Sequence, residues 1–352
     1  MAFFLNLLMS KLKLATLSTV LIIITAIIYI QIDLISYGFS QLKGQVNVIW
    51  NSRPIEDVLG DPYTNDTIKQ KLILIQEIKA YAMDSLGIKP SNNYSSFFDQ
   101  KNKPLLFVLT GAEPFAMKSY EWSFPFLGLV SYKGFFDKES GKKEEIKLQN
   151  LGYDTDLGVV GAWSTLGWFK DPVLSAMLKK KEGDLANLII HELTHGTLYI
   201  KDNVEFNENL ASFIGEKGAV DFLSHKYGRE SKELKAYLEN KADDETFSKY
   251  ILNGAQALDS LYKSFNDSYS AQDKKKHKMQ LINTIISGVN NLPLFNKEKY
   301  LFISTFAKKE KNAFFLSYIR YRATQADFEQ EFKKHSNLKA YLNFLKKSYS
   351  SL

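Results

Sequence analysis

Ile189-Ile190-His191-Glu192-Leu193-Thr194-His195 decides how this chain is read. As helix, it sends the imidazoles of His191 and His195 off one face, a single turn apart. At that spacing two ring nitrogens reach one zinc ion, a metal that suits imidazole. Glu192 follows the first of them and is placed to act as general base on a water beside such an ion. Leu185, Ala186, Leu188, Ile189, Ile190 and Leu193 around it carry no charge and no proline, as a buried helix requires. Asp184, after Gly183, is the expected N-cap. The plain alternative is a chance match on a surface helix. Only five histidines occur in the chain, and two of them fall at this spacing in an apolar segment, where an unpaired imidazole is costly.

Downstream lies Asn207-Glu208-Asn209-Leu210-Ala211. A catalytic zinc takes three protein ligands and keeps a fourth position open. Glu208 is the expected third ligand; with Glu205 and Glu216 nearby, the alternative is a solvated helix carboxylate. Val204 to Phe222 reads as a second helix, and the loop Tyr199 to Asn203 lets it fold back on the first. Tyr199, one turn past His195, either borders the site or packs beside it.

Upstream, Ile68 to Leu86 has a helical apolar stripe, and Leu105 to Leu109 reads as a short buried strand. Phe126 to Tyr132 is a second strand candidate and Leu157 to Trp163 a third, with a charged helix, Lys138 to Leu151, between them. Tyr37 to Leu59 reads as helix, and so does Pro172 to Lys181. The expected class is α+β: a small sheet on an active-site helix, with Val159 to Trp163 as the strand that holds an extended substrate. Beyond Gly228 the chain turns helical and rich in lysine, over Lys232–Phe265, Ala271–Val289 and Asn312–Lys347. Three regions follow: 1–36, a 37–228 core and a helical 229–352 part.

The chain has 352 residues, 45% hydrophobic and 24% charged, enough to bury a sizeable core. It has no cysteine, which excludes disulfides and thiolate ligands. The net charge of +6 has no phosphate loop or nucleic-acid motif behind it, so no nucleic-acid partner is expected. The runs Lys179–Lys181 and Lys274–Lys276 read as solvated faces, the alternative being faces toward anionic lipid or polymer, and His225, His277 and His335 read as surface residues. Leu14 to Ile30 is free of charge and lies at the short end for a bilayer span. Lys11 and Lys13 precede it and Asp33 follows. This predicts an N-terminal transmembrane helix, a cytoplasmic N-terminus and a body outside the cell membrane, single-pass. A signal peptide cut near Ser36-Tyr37-Gly38 is the alternative.

Longer stretches add to the motifs: GQVNVIWNSRPIEDVL from Gly44, LILIQEIKAYA from Leu72, WSFPFLGLVSYKGFFD from Trp122, STLGWFKDPVLSAML from Ser164, HELTHGTLYIKDNVEFNENLASFIGEKG from His191 and YRATQADFEQEF from Tyr321. With these the chain resembles the predicted zinc aminopeptidases of bacteria, of gluzincin type, with HExxH and NExxA motifs. The resemblance runs over most of residues 37 to 335. It implies a zincin-like metallopeptidase fold, a peptide substrate, Zn2+ as cofactor, His191, His195 and Glu208 as ligands, and Glu192 as catalytic base. Many members are lipoproteins; this chain has no cysteine to lipidate, so Leu14 to Ile30 would stand in for that anchor. Tyr321 matches a family position after the ligands and is either an oxyanion-stabilising hydroxyl, as in gluzincins, or an ordinary buried tyrosine. Ser212 occupies a place where some gluzincins orient a ligand with aspartate. An aminopeptidase also needs a carboxylate for the substrate's ammonium; Glu113 is a candidate, or else an exposed loop glutamate. The other readings are a zinc endopeptidase, a hydrolase of cell-wall amides, and an inactive binding or assembly protein, for which Glu192 would serve no purpose.

Overall fold

The computed structural model describes residues 13, 16, 32–124, 128–160 and 170–349. It divides after Trp50 into two units. The first carries helix α1, Ile32–Trp50. The helix expected over Tyr37 to Leu59 therefore breaks: Arg53–Pro54 forms strand β1 and Ile55–Gly60 a separate helix α2. Proline cannot donate to a helix and pushes the residue before it into extended geometry.

In the second unit α3, Asp66–Ser85, follows, capped by Asn65, whose side chain accepts from the Thr67 N–H at 2.8 Å. The strands are β2, Ser96–Phe98; β3, Leu106–Ala112; β4, Trp122–Phe124; β5, Gly128–Val130; and β6, Tyr132–Phe135. Helix α4, Lys138–Asn150, leads to β7, Asp154–Val160, and then β8, Val173–Leu174. They form three small sheets, in the orders β1-β2-β8, β6-β3-β7 and β4-β5. Central β3 pairs antiparallel with both neighbours, Leu109 opposite Lys133 on one side and Leu157 on the other. Strands β6 and β7 thus run parallel on either side of β3, and α4 is the crossover that parallel strands demand. Strand β7 is an edge, with Val159 exposed.

The expected strand Phe126–Tyr132 is instead two strands that break at Ser131, its residues 126 and 127 lying outside the described residues. The strand expected over Leu157 to Trp163 starts earlier, and its residues 161–163 lie outside the description. Pro172 to Lys181 is not a helix: Val173 pairs in parallel with Phe97, and only Met177–Lys179 makes a single 3-10 turn. Strand pairing with a distant segment overrides a weak local preference.

The remaining elements are helices: α5, Glu182–His195; α6, Val204–Tyr227; α7, Lys232–Lys263; α8, Ala271–Gly288; α9, Ile303–Glu310; α10, Asn312–Arg322; α11, Gln325–Phe332; and α12, Leu338–Tyr349. The stripe read as one helix over Asn312–Lys347 is thus three. Thr324 turns its N–H to the Asn209 side chain, and Asn337 starts the next helix by accepting from the Ala340 N–H.

One apolar cluster joins α3 (Leu72, Ile75), α5 (Leu185, Ile189) and α6 (Leu210, Ile214), all fully buried. Each such side chain contributes about 1.5–3 kcal/mol through burial. The C-terminal helices add Phe328, Leu338 and Tyr341 to the same cluster. A second cluster joins α7, α8 and α10 through Phe247, Ile282 and Phe315.

The molecule is α+β and mostly helical. The single small sheet expected on the active-site helix is replaced by three. Among the described residues, no helix is long and apolar enough to cross a membrane. The longest, α7, has the length, but lysine, aspartate and glutamate recur along it, and each charge at bilayer depth is expensive. The expected transmembrane helix, and the single-pass cell-membrane localisation drawn from it, are therefore not upheld; apart from Thr16, Leu14 to Ile30 lies outside the described residues.

Candidate metal centre

Helix α5 starts one turn earlier than its sequence suggested. Lys181 is the N-cap, and Asp184 sits with Glu182 in the first turn, where carboxylates complement the helix N-terminus. The apolar residues of α5 face the core, which leaves His191 half-buried and His195 and Glu192 buried. Helix α6 lies against α5 along a stripe of small residues, Ala211, Gly215 and Gly218, in turn with Glu208. A methyl added at Gly215 would overlap Asn187 Oδ1 and come within 2.9 Å of the Asn187 carbonyl oxygen. One added at Gly218 would come within 2.9 Å of Ile190. Glycine is thus what lets the two helices approach, and that approach brings Glu208 onto the histidine face.

The result is a tight triangle. Nε2 of His191 and Nε2 of His195 stand 3.2 Å apart. Oε2 of Glu208 lies 3.3 Å from the first and 3.5 Å from the second. Among the described residues this is the group of histidine and acidic side chains that converges in the way a metal needs; His225, His277 and His335 stand apart from it. A tetrahedral zinc with ligands at roughly 2.0–2.1 Å spaces its donor atoms about 3.3 Å apart. Two imidazole nitrogens and one carboxylate oxygen are also the donor types of a catalytic zinc, so the residues present fit that ion. Nδ1 of His195 is buried without a hydrogen-bond partner among the described residues, which departs from the usual support of a ligating histidine.

The electrostatics of the triangle favour a cation. Burial opposes ionisation of Glu208, but the His195 and His191 imidazoles outweigh it and hold the carboxyl far below its ordinary range. For His195 burial is outweighed by Glu208, and the pKa rises. Glu192 moves the other way: burial raises its pKa and the two imidazoles only partly offset this.

Tyrosines border the triangle. The Tyr321 ring lies 6.3 Å from that of His191, and the Tyr199 ring 6.5 Å from that of His195. Tyr321 keeps 36% of its surface exposed, so it is not a buried core tyrosine; partial desolvation of each phenol, with the Glu208 charge second, raises its pKa, so both stay protonated. Tyr132 on β6 is held up by the same two causes in the same order. It was not singled out in the sequence; its place in the family-like stretch from Trp122 was the available signal. Ser212 is buried on α6, but no hydrogen bond joins it to either histidine or to Glu208 among the described residues. Glu113 sits in the turn after β3, pairs with Lys118 at 3.5 Å and touches none of the triangle.

Two asparagines flank Glu208 and fix its surroundings. Asn207 accepts from the Ile200 N–H at 2.8 Å and donates to the Ile200 carbonyl at 2.7 Å, closing the loop after α5. Asn209 is fully buried. Its amide donates to the carbonyls of Ile319 and Arg320, and its Oδ1 accepts from the Thr324 N–H and from Gln325. The end of α10, which carries Tyr321, is thereby tied to the ligand helix. Arg322 next to it pairs with Glu216 on α6, which Lys241 also reaches at 3.2 Å. Arg320 reaches Ser131 Oγ at 3.2 Å and lies over the Tyr132 ring.

No curated protein and no solved structure matches the chain, so the zincin-like fold expected from its motifs is not shown. A family model matches residues 36–350 of the chain. By that match the chain belongs to the family described as "Putative aminopeptidase".

Proposed function

We propose that this chain is a zinc-dependent peptidase that removes residues from the amino ends of peptides. The observation that carries the reading is the triangle of His191, His195 and Glu208, with donor atoms 3.2–3.5 Å apart and Glu192 beside it. These three side chains would hold the ion. When bound, zinc supplies Lewis acidity to a peptide carbonyl and to a water.

The chain's own groups do the rest. The Glu192 carboxylate takes the proton of the attacking water and passes it to the leaving amine, a general base and then a general acid. A buried carboxylate holds that proton more readily than an exposed one. The Tyr321 hydroxyl, kept protonated, donates to the oxygen that gains charge as the carbonyl is attacked. Tyr199 and Tyr132 wall the site and limit water.

Elemental analysis of the purified chain should find one zinc per molecule, and one equivalent less in His195→Ala. The zinc-loaded chain should cleave peptides with a free amino terminus, stop when chelator is added, and spare the same peptides once acetylated. Equal metal in both proteins would remove His195 from the site. Undiminished cutting of the acetylated peptides would make the enzyme an endopeptidase.

A further inference from the structure

The chain has four arginines. Arg53 pairs with Asp61, Arg322 pairs with Glu216, and Arg229 is exposed. Arg320, in the last turn of α10, is only 7% exposed and forms no ion pair with a carboxylate among the described residues. The stretches outside them hold no aspartate or glutamate to serve instead. Glu310 closes α9 at the opposite end of α10, about 12 Å along the axis. Glu205 feels the guanidinium, but burial outweighs that attraction and raises the Glu205 pKa. Arg320 is held instead by Ser131, from Nε to Oγ at 3.2 Å and from Nη2 to the carbonyl at 3.4 Å, with the Tyr132 ring 5.9 Å away. An arginine has five N–H groups; two are used here, and Nη1 donates to no protein group among the described residues. A buried cation left in this state is costly.

Its place relates it to the metal triangle. The Arg320 carbonyl accepts at 2.7 Å from Asn209, the neighbour of Glu208. Tyr321, next along the chain, stands 6.3 Å, ring to ring, from His191. The Tyr132 hydroxyl lies in the field of both Glu208 and the guanidinium. A fixed and desolvated guanidinium therefore stands beside the site, and its planar fork grips a carboxylate through two parallel hydrogen bonds. We infer that Arg320 binds the terminal carboxylate of a short peptide while the bond one or two residues before it is cut. This rests on the peptidase reading and gives it a substrate class: di- and tripeptides with a free carboxyl end. Every such peptide carries that anion, whatever its side chains. An extended residue spans at most about 3.6 Å, so this carboxylate lies within about 7 Å of the bond cut.

The test is binding, measured by calorimetry on the full-length Glu192→Gln protein with zinc, in which turnover is removed. L-Leucylglycine or L-leucylglycylglycine should bind about tenfold or more tightly than its own carboxy-terminal amide. L-Leucyl-L-aspartic acid amidated at its α-carboxyl alone carries its carboxylate on a side chain, and should bind no better than leucylglycinamide. Adding Arg320→Gln should bring the ratio of acid to amide binding to about one. Arg320→Lys, which keeps the charge without the fork, should restore only part of the preference. The ratio is taken within one preparation, so a partly folded variant does not imitate the result. Equal binding of acid and amide at both lengths would overturn the assignment, as would a preference that survives Arg320→Gln. So would an aspartyl amide that binds as tightly as the acids. The peptidase reading fails separately, if zinc-loaded wild type cleaves no peptide; an enzyme that cleaves peptides but binds acids and amides alike loses only this site.

Discussion

Asn209 and Arg320 are joined by a 2.7 Å hydrogen bond from a side-chain amide to a backbone carbonyl, across 111 residues of sequence. The first follows Glu208 and the second precedes Tyr321. The bond therefore makes one unit of the helix that carries a candidate ligand and the helix end that carries the candidate oxyanion donor.

Replacing Asn209 with alanine removes the side-chain partner of the Arg320 carbonyl and of the Thr324 N–H. Each such loss costs about 1–3 kcal/mol, so urea denaturation should show Asn209→Ala destabilised by at least that amount. In a variant that still folds, kcat should fall with zinc content unchanged. Tyr321→Phe should lower kcat by about 10²-fold or more. If Asn209 acts through Tyr321, the double variant is no slower than Tyr321→Phe alone; additive losses would separate the two.

Glu192→Gln keeps the size of the side chain and leaves the metal triangle alone. Zinc should remain bound at wild-type stoichiometry while kcat drops by about 10²-fold or more. A variant that cleaves as fast as wild type would take Glu192 out of the chemistry.

Gly215→Ala places a methyl against Asn187 and 3.2 Å from His191 Cβ. Overpacking of this kind costs about 1–3 kcal/mol. Because the displaced helix is the one that brings Glu208, zinc affinity should fall together with the melting temperature. Gly60→Ala, where nothing lies within 4 Å, is the control and should leave zinc affinity unchanged without lowering the melting temperature. Unaltered zinc affinity in Gly215→Ala would mean that the triangle does not depend on the close approach of α5 and α6.

Glu144 on α4 accepts from the Trp122 indole at 2.9 Å and from Lys133 at 3.1 Å, linking β4, β6 and α4. Burial opposes its ionisation, but the indole and the ammonium outweigh it, and the pKa lies below the ordinary 4.5. A carboxylate depressed by folding contributes stability that is present above its unfolded pKa and lost as pH falls through the folded one. The difference in melting temperature between wild type and Glu144→Gln should therefore be largest above about pH 5 and shrink as the pH drops through the carboxylate range. A gap that stays constant over that range would show that Glu144 ionisation does not stabilise the fold.

What could be read from the sequence was local. The spacing of His191 and His195, and the apolar background of α5, depend on helical geometry alone, so the two imidazoles were placed on one face before any fold was known. The helices Ile68–Leu86, Val204–Phe222 and Lys232–Phe265 were legible for the same reason, each within a few residues of its observed limits. Cap positions were less so: Lys181, not Asp184, opens α5, because a suitable side chain one turn inside a helix looks the same in sequence as one at its end.

Tertiary structure decided the rest. Val173 becomes a strand because Phe97 is there to pair with it. The helix read over Asn312–Lys347 breaks after Arg322, where Asn209 takes up the backbone groups freed at the break. Arg320 comes to lie over Tyr132 only because α10 packs on the sheet that carries β6. Hydrophobic periodicity says which face of an element is buried; which other face buries it, and which distant side chains are carried along, is settled only when the whole chain packs.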